Sequence, residues 1–177
     1  MTDIPLSAST LVALSPRALH ALRDRVGAQA LQEAGYAAGE GTFRAFSAWL
    51  PQAAGVDNPA ELAAPRLAEI LSQFFVSLGW GAVQVTSVGE AAVAVDATAW
   101  AEASPEAQLP YPSCFFTAGL LADFMGRLAE ASLAVMEVEC RSKGDARCRW
   151  LVGAPETLSA LYEHMTQGAD YLTVLQG

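Results

Sequence analysis

The fold is decided by the stretch LAVMEVECRSKGDARCRWLV, residues 133–152. Its two arms are rich in apolar residues, and the Lys-Gly-Asp sequence between them is typical of a turn. The pattern therefore predicts a β-hairpin with one strand on each side of that turn. Cys140 and Cys148 flank the turn, so the hairpin carries two of the three cysteines of the chain.

Hydrophobic periodicity predicts the elements around this hairpin. Apolar residues three and four positions apart are typical of helices, and alternating apolar residues are typical of strands. Helices are predicted from about Arg17, across 31–50, at 67–78, at 113–130 and from Pro155, and strands at 82–86, 92–96, 133–140 and 147–152. Residues 51–59 are rich in Pro, Gly, Asp and Asn and predict a loop. The order of the elements predicts an α+β fold.

The composition of the chain predicts one folded domain. Of its 177 residues, 53% are hydrophobic and only 16% are charged, so it can bury a core and is not intrinsically disordered. One domain is expected over 1–177, with residues 1–14 loosely ordered. No apolar stretch reaches the roughly 18 residues that a membrane span needs. Because the N-terminus lacks the basic region of a secretory signal, a cytoplasmic protein is expected.

The charged residues and the missing motifs exclude several classes of function. Ten Lys and Arg residues against 19 Asp and Glu residues give a net charge of −9, which disfavours nucleic acid as a partner. Lys143 is the only lysine and lies outside a Gly-Lys-Ser/Thr sequence, so no Walker loop is present. No dinucleotide-binding loop and no Gly-x-Ser-x-Gly elbow occur either. No catalytic residue is therefore predicted.

The three cysteines point to a metal site, a catalytic thiol or simple packing. Their odd number argues against a disulfide framework, although a Cys140–Cys148 disulfide is an alternative. Cys114 precedes a predicted helix, and zinc accepts a carboxylate beside thiolates, so Glu137 or Glu139 could complete a site. In a regular strand Glu137 and Cys140 point to opposite faces, so they converge only if the strand bulges or ends near Cys140. From the residues alone, both glutamates remain candidates.

The spacing of these residues resembles the 4-vinyl reductase domain family. The run Cys114-Phe-Phe-Thr-Ala-Gly is followed by Glu137-x-x-Cys140 and by Gly-Asp-x-x-Cys148, with a basic residue and an aromatic residue after the last cysteine. The resemblance covers residues 112–152. It implies a structural Zn²⁺ held by Cys114, Glu137, Cys140 and Cys148, and it selects Glu137 from the two glutamates.

The same resemblance implies the fold and three kinds of function. The fold would be a helical layer packed on an antiparallel sheet with a zinc-stapled hairpin, similar to the small subunits of vesicle-tethering complexes. The first function is binding or sensing of a small hydrophobic, aromatic or tetrapyrrole molecule, as in the sensory domains of phenol- and xylene-responsive activators. The alternative is a component of bacteriochlorophyll 4-vinyl reduction, as enzyme or pigment carrier. The third is a protein-interaction module of the tethering type.

A hydrocarbon-binding cavity is predicted where the aromatic residues concentrate. It would lie between the helix at 67–78, the strands near Val83 and Val93, and the helix that begins near Phe115. An apolar cavity with a few polar groups is the usual form of a small-molecule site. The predicted ligand-binding residues are Phe75, Trp80, Trp100, Tyr111, Phe116 and Phe124.

Glycines interrupt the second helical stretch. Because glycine is unfavourable inside a helix, Gly35, Gly39 and Gly41 predict either close helix packing or a break. The low charge of the chain and the resemblance together predict a homodimer, since a monomer would leave large apolar patches in water. The face around Gly35 and Gly39 is the predicted contact. A mass near 18.6 kDa in light scattering would contradict the dimer.

Four of the ten cations of the chain surround the hairpin turn: Arg141, Lys143, Arg147 and Arg149. Three thiolates and a carboxylate carry more negative charge than Zn²⁺ neutralises. The four cations are therefore expected to offset the remaining charge of the zinc site, in preference to forming a site for a partner.

Overall fold

The computed structural model describes residues 14–176, and its elements follow the predicted order. Residues 1–13, which belong to the segment expected to be loosely ordered, lie outside the described residues. The helices are α1 (Pro16–Val26), α2 (Ala28–Ala54), α3 (Ala64–Ser77), α4 (Phe115–Ala129), α5 (Pro155–Thr166) and α6 (Tyr171–Gln176). The strands are β1 (Gln84–Val88), β2 (Ala92–Ala97), β3 (Ala134–Glu139) and β4 (Cys148–Gly153).

The four strands form one antiparallel sheet in the order β1-β2-β4-β3. Because side chains alternate along a strand, the sheet contributes to two cores. Val95 and Trp150 pack with α2, α3 and α4, whereas Ala94 and Leu151 pack with α5 and α6 on the other face. The predicted α+β class, with a helical layer on an antiparallel sheet, is confirmed. The second, smaller helical layer completes it.

Helices α2 and α4 pack with their backbones in direct contact. A Cβ atom at Gly35 would lie 2.0 Å from the carbonyl oxygen of Phe116, and one at Gly119 would lie 1.9 Å from that of Gln32. The glycines therefore provide close packing, and α2 continues without a break to Ala54. Its last turn includes Pro51, which was predicted to begin a loop. A proline this close to a helix end removes only one hydrogen bond of the helix.

The predicted dimer contact is wrong, because α4 of the same chain covers the glycine face of α2. Gly39 is buried against Asp123, whose Cβ atom lies 2.5 Å from the position of a Cβ atom at Gly39. The homodimer itself stays a prediction. Within residues 14–176, no helix combines the length and the apolar character that crossing a membrane requires.

Candidate functional site

Strand β3 contains a bulge between Glu137 and Glu139. Glu137 pairs with Trp150 and Glu139 pairs with Arg149, so two steps along β3 correspond to one step along β4. Neighbouring residues of β4 point to opposite faces of the sheet. Glu137 and Glu139 therefore also point to opposite faces, which would not happen in a regular strand.

The bulge brings three of the predicted metal ligands onto one face. Cys140 follows Glu139 by one residue and so returns to the face of Glu137. Cys148 precedes Trp150 by two residues on β4 and lies on that same face. The expectation that the strand must bulge near Cys140 is confirmed.

Cys114 approaches these residues from the N-terminal end of α4. Its sulfur lies 3.8 Å from that of Cys140 and 3.9 Å from that of Cys148, and its backbone N–H donates to Glu137 Oε2 at 2.8 Å. Counting one carboxylate oxygen of Glu137, the four ligand atoms all lie within 4.8 Å of one another. All three cysteines are buried and free.

The distances and the donor set fit a metal ion. Tetrahedral coordination with metal–sulfur bonds of about 2.3 Å places sulfurs roughly 3.8 Å apart, whereas a disulfide needs about 2.05 Å. Glu137 Oε1 is buried and has no hydrogen-bond partner among the described residues. A buried carboxylate oxygen without a partner is costly, so it indicates a missing cation. The four residues could therefore hold one metal ion.

The electrostatics of the cluster agree with this assignment. Burial, together with the charge of Cys140, raises the pKa of Glu137 to about 9. Hydrogen bonding with Cys140 and Cys148, together with burial, raises the pKa of Cys114 well above its usual value. The protein alone thus resists gathering negative charge here. A divalent cation would reverse that preference, because it stabilises thiolates and carboxylates directly.

The turn of the hairpin supports the cluster through its backbone. The N–H of Cys140 donates to Asp145 Oδ2 at 2.8 Å, and the N–H of Arg141 donates to Cys148 Sγ at 3.5 Å. Gly144 has a φ of 105°, a conformation that favours glycine at this turn. Backbone donors of this kind stabilise thiolates without a charged side chain.

The expectation that the hairpin cations offset the charge of the metal site is wrong for the arginines. Arg149 points to the opposite face of the sheet, since it lies between Cys148 and Trp150. Arg147 pairs with Glu139 at 2.9 Å on that face, and the side chain of Arg141 donates to the carbonyl oxygen of Thr98. These three side chains are therefore bound elsewhere.

On the opposite face, Arg149 belongs to a buried ionic network that sequence analysis missed. Arg149 donates to both carboxylate oxygens of Asp96, at 2.7 and 2.6 Å, and to the hydroxyl of Tyr171 at 3.1 Å. The Tyr171 hydroxyl donates to Glu139, which also accepts from Arg147. Glu139 therefore lies outside the metal cluster, and the structure places Glu137 inside it.

Glu102 is a second residue that sequence analysis missed. It is only 1% exposed. Its Oε1 accepts the N–H of Phe116 at 3.0 Å, and its Oε2 accepts the N–H and the hydroxyl of Thr117 at 2.7 and 2.6 Å. Trp100 Nε1–H in turn donates to Thr117 Oγ1 at 2.7 Å. Burial raises the pKa of Glu102 to about 7. No sequence signal marks a lone glutamate in an irregular segment.

Five of the six predicted ligand-binding residues form one aromatic cluster. Ring centroids of Phe75 lie 5.6 Å from Trp100 and 5.5 Å from Phe124. Trp80 stacks on Trp100 at 5.5 Å and on Phe116 at 5.9 Å. Neither Trp80 nor Phe116 is fully buried, so this end of the cluster reaches the surface.

Tyr111 and the predicted cavity do not follow the prediction. Tyr111 is 54% exposed and pairs with Phe115 at 6.3 Å, away from the cluster. The clustered rings contact one another in the region where the cavity was predicted. An open cleft of about 200 Å³ lies elsewhere, beside Tyr36, Asp123 and Arg127.

Comparisons with known proteins agree with this architecture. Residues 98–154 match the model of the 4-vinyl reductase domain. No curated protein matches the chain. A vinyl-4-reductase family protein from Methanocaldococcus jannaschii is similar in structure, with a TM-score of 0.52 and 19% identity over 83% of this chain and 84% of that one.

Two further solved structures share the fold. The phenol-responsive sensory domain of the transcription activator PoxR, with phenol, has a TM-score of 0.55 and 18% identity over 82% of this chain and 77% of that one. A trafficking protein particle complex subunit 3 from Naegleria fowleri, covalently bound to palmitic acid, has a TM-score of 0.51 and 15% identity over 76% and 81%. The resemblance indicated by the cysteine spacing is thus confirmed: residues 98–154 of this chain are a 4-vinyl reductase domain.

Proposed function

We propose that this protein binds a small apolar or aromatic molecule, as a sensor domain does, and that a structural Zn²⁺ stabilises its hairpin. The ligands of the zinc ion are Cys114, Glu137, Cys140 and Cys148. The observation that carries the ligand-binding proposal is the stack of Trp80 on Trp100 and Phe116, which reaches the surface in a fold shared with a phenol-responsive domain. A homodimer and a cytoplasmic location belong to the same proposal.

Zinc has a structural role in this proposal. Three thiolates and one carboxylate fill a tetrahedral coordination shell and leave no position for substrate. The ion links the start of α4 to both strands of the hairpin, because Cys114 lies at α4, Cys140 follows β3 and Cys148 begins β4. Thiolates are the soft ligands that zinc accepts, which is why zinc is preferred to a hard cation here.

The proposed ligand takes the place of the Trp80 side chain. The backbone of Trp80 is fixed, because its carbonyl oxygen accepts the N–H of Ala101 at 2.8 Å. Gly81 permits this contact, since a Cβ atom there would lie 2.1 Å from the carbonyl oxygen of Ala99. The half-buried indole is free to rotate outward, and a planar ring would then stack between Trp100 and Phe116. Aromatic stacking of this kind contributes about 0.5–1.5 kcal/mol beyond area burial.

Thermal unfolding with candidate ligands tests the proposal. Phenol, p-xylene, a chlorophyllide and palmitate would be titrated separately while melting temperature and tryptophan emission are recorded. An aromatic ligand is expected to raise the melting temperature with concentration, by mass action, and to quench the emission. Trp80→Leu should change the affinity for that ligand by about 10-fold through the altered stack. Tyr162→Leu, an exposed aromatic on α5, is the matched control and should change nothing.

The other outcomes decide between the alternatives. A response to the chlorophyllide alone would replace the aromatic sensor by the pigment-carrier function. A chain that responds to no probe, and whose Trp80→Leu variant behaves like wild type, would contradict ligand binding and favour the protein-interaction module.

A further inference from the structure

We infer that Glu102 is a positioning residue that couples the metal centre to Trp100. The inference rests on the proposed function, since it assumes that a metal ion binds the cysteine cluster. It goes beyond that function by assigning a role to a residue that is neither a metal ligand nor part of the aromatic stack. Four hydrogen bonds carry it, and all of them lie at the start of α4.

Two carboxylates hold the first turn of α4. The N–H groups at the start of a helix have no partner within the helix and attract negative charge. Glu137 accepts the N–H of Cys114, and Glu102 accepts those of Phe116 and Thr117. One carboxylate thus belongs to the metal cluster, and the other belongs to the loop that carries Trp100. The position of this turn depends on both.

The hydroxyl of Thr117 transmits the position of Glu102 to Trp100. Its hydrogen is directed at Glu102 Oε2, so its lone pairs are available to accept the Trp100 Nε1–H. Trp100 in turn packs against Trp80 and, at 5.4 Å, against Trp150. The indole orientation of Trp100 is therefore fixed by the same carboxylate that holds α4.

Metal binding and the Trp100 hydrogen bond are consequently linked. A metal ion that draws Cys114 and Glu137 together sets the first turn of α4, and with it the Thr117 hydroxyl. Linkage is reciprocal in equilibrium binding, so weakening the Glu102 contacts must also weaken metal affinity. Residues that orient metal ligands commonly change the affinity 10- to 100-fold when they are replaced.

Zinc titration of the full chain tests this coupling with two readouts. Zinc affinity is measured by competition with a chromophoric chelator, and the Trp100 indole N–H signal is followed by ¹H–¹⁵N NMR and assigned with Trp100→Phe. Glu102→Gln is expected to weaken zinc about 10-fold or more, because the amide replaces one acceptor by a donor. Thr117→Val should weaken zinc severalfold and remove most of the zinc-induced shift of the Trp100 signal. Thr42→Val deletes a buried hydroxyl on α2, whose partner is the Ala38 carbonyl oxygen, and should behave like wild type.

Two results would overturn the inference. One is zinc affinity in both Glu102→Gln and Thr117→Val within about twofold of wild type. The other is a zinc-induced Trp100 shift in Thr117→Val as large as in Thr42→Val. If the wild-type chain binds no zinc, the metal centre itself is contradicted and the coupling with it. Tight zinc binding with unchanged variants contradicts the coupling alone.

Discussion

Replacement of Cys148 by serine is expected to abolish stoichiometric zinc binding and to lower the free energy of unfolding by about 4 kcal/mol or more, the range reached when a protein loses a bound metal. A serine hydroxyl does not ionise near neutral pH, so it cannot replace a thiolate ligand. Binding of a structural metal is coupled to folding, and loss of the ion exposes that coupling as loss of stability. Urea unfolding and metal analysis of the same preparation measure both effects.

Chelation of the wild-type chain is the matched control for this variant. Because all three cysteines belong to the cluster, no cysteine outside it can serve. Wild type stripped of metal should unfold at nearly the same urea concentration as Cys148→Ser. If the variant fails to fold, the stripped wild type still reports the contribution of the metal. Unchanged stability after complete chelation would contradict a structural zinc.

Asp96→Asn is expected to destabilise the fold by roughly 3–5 kcal/mol, because it leaves the charge of Arg149 buried without its carboxylate partner. Asp96 and Arg149 are each only 8% exposed, and they share two hydrogen bonds across β2 and β4. Asparagine keeps the shape of the side chain and removes its charge. The effect is measured by urea unfolding at neutral pH, where the carboxylate is ionised in wild type.

An exposed ion pair provides the control for Asp96→Asn. Arg66 and Glu69 lie 2.8 Å apart on the surface of α3, and Glu69→Gln should cost less than about 1 kcal/mol. Asp96→Asn should also retain its zinc, because the ionic network lies on the face of the sheet opposite to the metal cluster. A cost as small as that of Glu69→Gln would contradict the importance of this network.

The hairpin and its cysteines could be predicted from the sequence because their signals are local. Alternation, a Gly-Asp turn and the spacing of the cysteines all lie within residues 112–152. Even the bulge could be anticipated, since an odd step between Glu137 and Cys140 requires one. The exact position of the bulge, between Glu137 and Glu139, depends on pairing with β4 and is not encoded locally.

The remaining features depend on contacts between distant residues. Glu102 reaches α4 across 14 residues, and Asp96 and Arg149 are 53 residues apart in sequence. The parity that sends Arg149 away from the cluster follows from strand pairing. The aromatic residues were identifiable as a set, but Tyr111 shows that composition alone does not say which rings meet.

Helix α6 was missed for a different reason. It is only six residues long, too short for a helical period to stand out. Its start is nevertheless marked by Asp170, whose Oδ1 accepts the N–H groups of Leu172 and Thr173 at 3.1 Å each. An aspartate in this position is a typical helix N-cap, so the signal was present. Tyr171 then ties this short helix to the ionic network.

The metal content of the chain, purified without added chelator, tests the central claim most directly. Native mass spectrometry should show one zinc ion per chain, which is lost together with the fold under denaturing conditions. The Cys114→Ser, Glu137→Gln and Cys140→Ser variants should each lower the zinc occupancy, whereas Glu139→Gln should leave one zinc ion bound. A folded wild-type chain without zinc, or equal occupancy in Glu137→Gln and Glu139→Gln, would contradict the proposed metal centre.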